Sequence, residues 1–193
     1  MLSERRKSRI ERTLRYRQRD LTVVIENVHD PHNVSAILRS CDAVGIGEVQ
    51  LLYTTEKFPR IGKKSSASAG KWVERRNFKS APECFETLRK EGFTIYATSL
   101  GEGSLSLYDL DLTGKVAIVM GNEHRGVSEE AAAGADAQFQ IPMFGMIQSL
   151  NVSVASAVTL FEALRQRIAG GRHNVPKYSP EELAQLFDQW KRK

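Results

Sequence analysis

The chain has 193 residues, of which 41% are hydrophobic and 26% charged, which is typical of a single globular domain. No apolar stretch reaches the roughly 18 residues that a membrane span needs, and no apolar segment follows the charged start, as a secretory signal would require. The two cysteines, Cys41 and Cys84, form no CxxC motif, and no histidine lies near them at metal-ligand spacing. We therefore expect a cytoplasmic protein with reduced thiols, no membrane association and no metal.

The positive charge is concentrated at the N-terminus. The net charge is +5, but eight of the first 19 residues are basic and two acidic, so this segment carries +6 and the other 174 residues carry −1. Helical spacing places Ile10 and Leu14 on one face and arginines on another. The arginines predicted to contact nucleic-acid phosphates are Arg5, Arg9, Arg12 and Arg19. The alternative is a solvated helix with surplus arginine.

Short β-branched runs alternate with segments of helical periodicity along the rest of the chain. Strands are predicted at residues 21–25, 49–53, near 73, 93–98, 116–120 and 138–141. Helices are predicted at 34–44, 82–91, after Ser128, at 151–169 and at 180–193, and a long loop at 54–71. This alternation predicts an α/β fold with a mostly parallel sheet and helices on both faces. We expect a basic arm at 1–19, an α/β domain at 20–169, and a linker with a final helix at 170–193.

The first unusual segment, residues 26–39, follows the first strand, at the sheet edge where ligands of open α/β sheets bind. Asn33 can cap the next helix, although Asp30, with Pro31 at the first helical position, competes for that role. Arg39 lies six residues beyond Asn33, about 600° around a helix, so intrahelical geometry alone does not explain it. Taken singly, Arg39 is also compatible with an ordinary surface arginine.

The second unusual segment, residues 118–128, is a hydrophobic strand that enters a turn bounded by Gly121 and Gly126, with Glu123 between them. Glycines at such positions permit a positive φ or a close approach of the backbone to a ligand. A plain loop, with Ser128 capping the next helix, is the alternative interpretation.

The third unusual segment, residues 141–155, is a loop with many apolar side chains that leads into a helix capped by Ser149 or Asn151. Solvent-exposed loops seldom carry so many large apolar residues. The loop is therefore expected either to lie buried under another element or to line a pocket. A ligand with flat apolar parts, such as adenine beside a thioether sulfur, would suit such a pocket.

In combination, these three segments resemble the signature motifs of the SPOUT methyltransferase superfamily, in its SpoU/TrmH branch. Asn33 with Arg39 matches the first motif and Gly121-x-Glu123-x-x-Gly126-x-Ser128 the second. The third motif matches Ile141-Pro142-Met143 through Ser149-Leu150-Asn151-Val152-Ser153. The resemblance covers roughly residues 20–169. His124-Arg125 departs from the second motif, where Lys or a bulky residue is expected, and this leaves the fine substrate preference open.

The resemblance implies a C-terminal trefoil knot, which periodicity alone would not suggest because knots are rare. It also implies a homodimer with its active site near the subunit interface. The implied reaction transfers a methyl group from S-adenosylmethionine to a ribose 2'-hydroxyl in tRNA, with guanosine 18 of the D-loop as the expected target. The absence of a G-x-G-x-x-G after the first strand agrees with a donor site unlike the Rossmann one.

The resemblance further implies the roles of individual residues. The catalytic set comprises Asn33, Arg39, Glu123, Ser149 and Asn151. The methyl donor is expected at Thr98, Leu100, Gly121, Ile141, Met143 and Leu150. Arg165 and Arg167 match positions thought to contact RNA, although a helix C-terminus also favours cations.

Chemistry narrows the role of the implied catalytic arginine. Arg39 is a poor general base, because the pKa of an arginine lies above about 12. We expect it to stabilise the developing alkoxide and hold the adjacent phosphate. Asn33 is expected to orient the hydroxyl or Arg39. Glu123 is expected to hold the loops or the donor, and neither alternative is preferred.

Two alternative functions remain. One is a relative that acts on ribosomal RNA or on another tRNA ribose. About 20 residues precede the first strand, too few for the extra RNA-binding domain of many ribosomal members, and this favours tRNA. The other is an RNA-binding protein without catalysis, which the intact catalytic set argues against.

Overall fold

The structure, a computed structural model, describes residues 2–61, 69–101 and 103–193. Seven parallel strands form one sheet in the order β3-β2-β1-β6-β4-β7-β5. The strands are β1 (Leu21–Glu26), β2 (Glu48–Leu52), β3 (Glu74–Phe78), β4 (Thr94–Thr98), β5 (Leu105–Ser106), β6 (Val116–Met120) and β7 (Ala137–Gln140). The helices are α1 (Glu4–Arg15), α2 (Pro31–Ala43), α3 (Ala81–Lys90), α4 (Glu129–Gly134), α5 (Val152–Ala169) and α6 (Pro180–Trp190).

Helices cover both faces of the sheet, as the alternation predicted. Every residue of β1 and β6 is buried, because these central strands have apolar neighbours on each side. One core cluster contains Ile37 of α2 and Leu160 of α5. The other contains Phe85 of α3 and Ala131 of α4. The α/β fold with its mostly parallel sheet is therefore confirmed, and the knot stays a prediction.

The predicted elements and the observed ones differ mainly at their ends. The second helix begins at Pro31 rather than residue 34, because Asp30 caps it and proline is tolerated in the first turn. The two-residue strand β5 was not predicted, since two residues carry no detectable alternation. Residues 62–68 of the predicted loop lie outside the described residues, and residues Ala69–Lys71 form a 3-10 turn.

The two terminal helices pack against each other. Ile10 and Leu14, the predicted apolar face of α1, are buried against Trp190 of α6. The basic arm is therefore a helix fixed to the C-terminal helix. Its arginines at positions 5, 9 and 12 are exposed.

Arg17 belongs to the interior rather than to an exposed arm. Its guanidinium donates to the carbonyl of Ile46 at 2.5 Å, to Asp42 at 2.6 Å and to the carbonyl of Trp72 at 3.1 Å. The same group lies 5.0 Å from the ring centroid of Trp190. Arg17 thus joins the end of α1 to α2 and α6.

Arg167 is also buried, and the prediction that it contacts RNA is wrong. Nε donates to the carbonyl of Leu112, and Nη1 donates to Gln18 and to the Asp20 carboxylate. Nη2 donates to the carbonyls of Asp20 and Gly114. An arginine has five N–H donors, and all five are used here. No donor of Arg167 remains for a phosphate.

The parallel strands bring their carboxyl ends to one edge of the sheet. The segments that follow β1, β6, β4 and β7 start from neighbouring strands at this edge. These segments contain the three unusual motifs. Among residues 2–61, 69–101 and 103–193, no helix has the length and apolar character needed to cross a membrane. The same residues contain no cluster of His, Cys, Asp and Glu side chains suited to a metal ion.

Candidate active site

Asn33 is not the cap of α2. The Asp30 side chain accepts a hydrogen bond from the backbone N–H of His32 at 2.8 Å, which makes Asp30 the cap. Asn33 therefore lies within the first turn, where its side chain is buried and available for contacts beyond the helix.

A chain of side-chain hydrogen bonds joins the three motifs. The Asn33 amide donates to Oε1 of Glu123 at 3.0 Å, and its carbonyl oxygen accepts from the Asn151 amide at 3.1 Å. Because an ionised carboxylate only accepts hydrogen bonds, the Asn33 amide nitrogen must face Glu123. The Asn33 oxygen must then face Asn151. The carboxylate thus sets the direction of the whole chain.

Glu123 also binds the backbone that leaves β1. Its Oε1 accepts from the N–H of Asp30 at 3.1 Å, and its Oε2 accepts from the N–H of His29 at 3.2 Å. Burial raises the pKa of Glu123, but hydrogen bonds from Asn33 and from backbone N–H groups outweigh it and lower the pKa to about 2. The carboxylate is therefore ionised at neutral pH. These hydrogen bonds tie the loop of Glu123 to the segment after β1, and a contact of Glu123 with the donor stays a prediction.

Asn151 belongs to this hydrogen-bond chain, whereas Ser149 and Arg39 lie outside it. Asn151 caps α5 by accepting from the Ser153 N–H at 2.9 Å. Ser149, the other candidate cap, is exposed. Arg39 is exposed on α2, and its guanidinium makes no hydrogen bond or ion pair within the part of the chain that the structure describes. The cationic group of the predicted set therefore faces solvent.

The residues predicted to bind the methyl donor come from three neighbouring strands. Thr98 ends β4, Gly121 follows β6 and Ile141 follows β7, and these strands are adjacent in the order β6-β4-β7. A Cβ at Gly121 would lie 2.2 Å from the backbone of Gly126, so glycine is required there by the turn itself. Gly126 has a φ of +70°, as glycine permits.

The apolar loop of the third motif is exposed in the single chain. Phe144 and Met146 are each 98% exposed, Ile147 is 70% exposed, and Leu100 across the site is 67% exposed. Both expectations for this loop require a cover, either a protein element or a ligand. These side chains, beside three strand ends, fit a donor with a flat base and a thioether.

Sequence reasoning missed several residues that shape the site. His29 and Asp30 contribute backbone N–H groups to Glu123, a role that does not depend on side-chain identity and leaves no signal in one sequence. Asn27 has a φ of 49°, the only positive φ at a non-glycine residue in the described ranges. Its position, directly after a buried strand, was the available signal.

The predicted RNA-contacting arginines differ in their surroundings. Arg19 pairs with Glu182 at 2.8 Å and lies 4.9 Å from the ring centroid of Tyr178. Arg165 is 67% exposed and pairs with Glu162 at 2.8 Å. The Arg19 pair is exposed on both sides and therefore weak, whereas the Glu162 carboxylate is buried and only the guanidinium of Arg165 is exposed. Both residues therefore remain candidates for RNA contact.

The chain is similar to known methyltransferases along nearly its whole length. The model of the SpoU rRNA Methylase family matches residues 20–161. The tRNA (guanosine(18)-2'-O)-methyltransferase of Thermus thermophilus is 49% identical over 191 residues, which are 99% of this chain and 98% of that protein. The crystal structure of the A. aeolicus TrmH/SpoU tRNA modifying enzyme aligns with a TM-score of 0.90 at 38% identity, covering 97% of this chain and 95% of the other.

A third similar structure contains a methyl donor. The SpoU methyltransferase AviRb of Streptomyces viridochromogenes, solved in complex with the cofactor AdoMet, aligns with a TM-score of 0.69 at 28% identity. The alignment covers 80% of this chain and 61% of AviRb.

The lowered pKa of Glu123 makes a prediction about stability. A carboxylate whose pKa falls from 4.5 to about 2 on folding stabilises the folded state above pH 4.5, by up to about 3 kcal/mol. This contribution is lost as the pH falls from 4.5 towards 2. Glu123→Gln should therefore be less stable than the wild type near neutral pH, and the difference should shrink on acidification. Urea unfolding between roughly pH 3 and 7 measures it, and a constant difference would contradict the assigned pKa.

Proposed function

The chain belongs to the SpoU methylase family, and we propose that it methylates the 2'-hydroxyl of guanosine 18 in tRNA with S-adenosylmethionine as donor. The observation that carries this proposal is the chain Glu123–Asn33–Asn151, which joins the three motifs at the carboxyl edge of the sheet. A protein that only binds RNA has no need of such an arrangement. Glu123 and Asn151 lie in the segments after β6 and β7, which also contain Gly121, Ile141, Met143 and Leu150 of the predicted donor site.

The tRNA target is supported by the extent of the similarity. The family model ends at residue 161, whereas the guanosine-18 enzyme of Thermus thermophilus matches 191 residues. The match therefore includes the basic helix α1 and the terminal helix α6. These flanking helices are the parts that a shared substrate would preserve, because the methyl-transfer chemistry does not involve them.

The nucleophile of the reaction is a ribose hydroxyl, which barely ionises at neutral pH. S-adenosylmethionine, when bound, supplies a methyl group on a sulfonium that leaves readily. The task of the protein is therefore to stabilise the ribose oxygen as its proton is lost to the adjacent phosphate or to water. An exposed guanidinium at Arg39 can stabilise the developing alkoxide and bind that phosphate. Glu123 acts at a distance, by fixing Asn33 and Asn151.

The residues that would hold the donor are those at the ends of β4, β6 and β7. The predicted set fits this role, because Leu100 and Leu150 offer exposed apolar surface beside these strand ends. The sharp turn at Gly121 brings the backbone of Gly126 and Val127 close to the end of β6. Apolar walls with a few backbone hydrogen bonds are typical of nucleoside sites.

We also propose that two copies of the chain associate through α5 and the apolar loop. Val154, Phe161 and Ile168 follow one another at intervals of seven residues on α5, and each is about half exposed. This spacing places them on one face of the helix. Together with Phe144 and Met146 they form an apolar surface that a second copy would cover.

The catalytic assignment is tested with Arg39→Ala. Removing the cation that stabilises the alkoxide should cost on the order of 3 kcal/mol, a loss of at least a hundredfold in turnover. Binding of S-adenosylmethionine, measured by calorimetry, should hardly change. The assay is methylation of undermodified tRNA with labelled donor, followed by mapping of the modified nucleotide. Turnover within tenfold of wild type would remove Arg39 from the chemistry, and modification elsewhere would overturn guanosine 18.

The RNA-binding arm is tested without deleting it, because Arg17 and Gln18 are part of the interior. Replacing Arg5, Arg9 and Arg12 by Gln should weaken tRNA binding. It should also flatten the dependence of log K on log salt by up to about 3 units, at roughly 0.9 per lost phosphate contact. The matched control replaces the same residues by Lys and should keep the slope. Equal slopes for the wild type and the Gln variant would show that α1 does not contact RNA.

Dimerisation is tested with Phe161→Glu. A carboxylate in the centre of the apolar surface should give monomers in sedimentation equilibrium, because burying an unpaired charge is costly. Phe161→Leu keeps the apolar character and should remain dimeric. A wild-type protein that sediments as a monomer at micromolar concentration would contradict the proposal.

A further inference from the structure

Asn27, directly after β1, holds the segment that follows β2. Its side-chain oxygen accepts three consecutive backbone hydrogen bonds, from Thr54 at 3.0 Å, Thr55 at 3.1 Å and Glu56 at 3.2 Å. Its amide nitrogen donates to the Thr54 hydroxyl at 3.0 Å. Asn27 is 6% exposed, and its positive φ has an energetic cost for any residue with a side chain. The strained conformation is thus associated with four side-chain hydrogen bonds to the segment after β2.

A second asparagine ties Asn27 to the loop of Glu123. The Asn122 amide donates to the backbone oxygen of Asn27 at 2.8 Å. The Asn122 side-chain oxygen accepts from the N–H groups of His124 at 3.0 Å and Arg125 at 3.2 Å. The two asparagines therefore connect the segment after β2 to the loop that carries Glu123.

Arg125 also joins the loop of Glu123 to the segment after β2, by contacts at the surface. Its guanidinium donates to Glu56 at 2.7 Å and to the Thr55 hydroxyl at 3.4 Å. This contact gives a physical account of one residue that departs from the second motif. Glu56 is also held by Asn27 through its backbone N–H. The segment after β2 is thus held to the loop of Glu123 both by asparagine hydrogen bonds and by the Arg125–Glu56 ion pair.

The rest of the segment is anchored by its aromatic residues. The Tyr53 hydroxyl donates to the backbone oxygen of Val28 at 2.6 Å. The rings of Tyr53 and Phe58 meet edge to face, with centroids 5.3 Å apart. We call residues 53–61 the latched segment. Its aromatic side chains are directed to the body, and its two cations, Lys57 and Arg60, are exposed.

We propose that the latched segment is a second wall of the RNA site, in which Lys57 and Arg60 bind phosphates beside the target ribose. Asn27 is then the positioning residue. This inference rests on the proposed function, since it assigns the segment to the same substrate. Glu56 is neutralised by Arg125, so the charge that the segment presents is that of its two exposed cations. RNA is the polyanion expected at this edge of the sheet.

The location favours a role in binding over a role in stability alone. Asn27 bonds both the latched segment and Asn122, the residue that precedes Glu123, so the segment and the catalytic loop are fixed to the same residue. A purely stabilising role of the segment requires only the buried contacts of Asn27, Asn122 and Tyr53. Such a role does not account for two exposed cations next to Glu56, which pairs with Arg125 two residues beyond Glu123.

The first test removes the cations and leaves the latch in place. Lys57→Ala with Arg60→Ala should raise the KM for tRNA by tenfold or more, with unchanged affinity for S-adenosylmethionine. The salt slope of tRNA binding should fall by up to about 2 units. The control is Lys115→Ala, an exposed cation at the opposite edge of the sheet. A KM for tRNA that rises no more than in the control overturns the proposal.

The second test changes the latch and keeps the cations. Asn27→Gly preserves the backbone conformation but removes all side-chain hydrogen bonds, and should raise the KM for tRNA more than it lowers kcat. Asn27→Asp keeps the accepting oxygen and should stay within about twofold of wild type. If Asn27→Gly lowers only the thermal stability, the hydrogen bonds of Asn27 serve stability alone and the proposal is overturned. If Asn27→Gly does not fold, the Lys57 and Arg60 variant still decides the question.

Direct binding separates this proposal from the proposed function. Filter binding of tRNA to each variant needs no turnover, so it reports on the latched segment even if guanosine 18 is not the target. Weaker binding by the Lys57 and Arg60 variant, with methylation at another nucleotide, would support the wall and overturn the target. Unchanged binding, with methylation at guanosine 18, would overturn the wall and support the target.

Discussion

The Glu123 carboxylate is the group on which the geometry of the site depends. It accepts from two successive backbone N–H groups after β1 and from Asn33 in the first turn of α2. Through Asn33 it also fixes Asn151 and the start of α5. A partly buried charge is tolerated only when hydrogen bonds replace the lost water, and here three donors do so. Three segments that are distant in sequence therefore share one anchor.

The parallel sheet explains why this anchor can exist. Strands β1, β6, β4 and β7 are consecutive in the sheet, so the loops that leave them start about 5 Å apart. Such loops expose backbone N–H groups and cannot pair with each other as strands do. A carboxylate with two accepting oxygens satisfies several of them at once. Asn27 and Asn122 do the same for neighbouring loops, with amides in place of a carboxylate.

Much of this was accessible from the sequence. Periodicity located the helices and the long strands, and the resemblance to the family motifs pointed to Asn33, Glu123 and Asn151. The roles that could not be predicted depend on hydrogen-bond partners that are distant in the sequence. Arg167 looks like a surface cation at a helix end, yet Gln18, Asp20, Leu112 and Gly114 saturate it. The role of Asn27 likewise depends on Thr54 and Asn122, which no local pattern connects to it.

The arginines divide into two classes with different physical tasks. Arg17 and Arg167 are buried and use their donors on carbonyls and carboxylates of the body. They hold the start of β1, and with it α1 and α6, to the sheet. The exposed arginines of α1 are therefore carried on a helix whose position is fixed, not on a free tail. Under the proposed function, a phosphate bound by α1 would be held at a fixed position relative to the body, and the buried arginines would set that position.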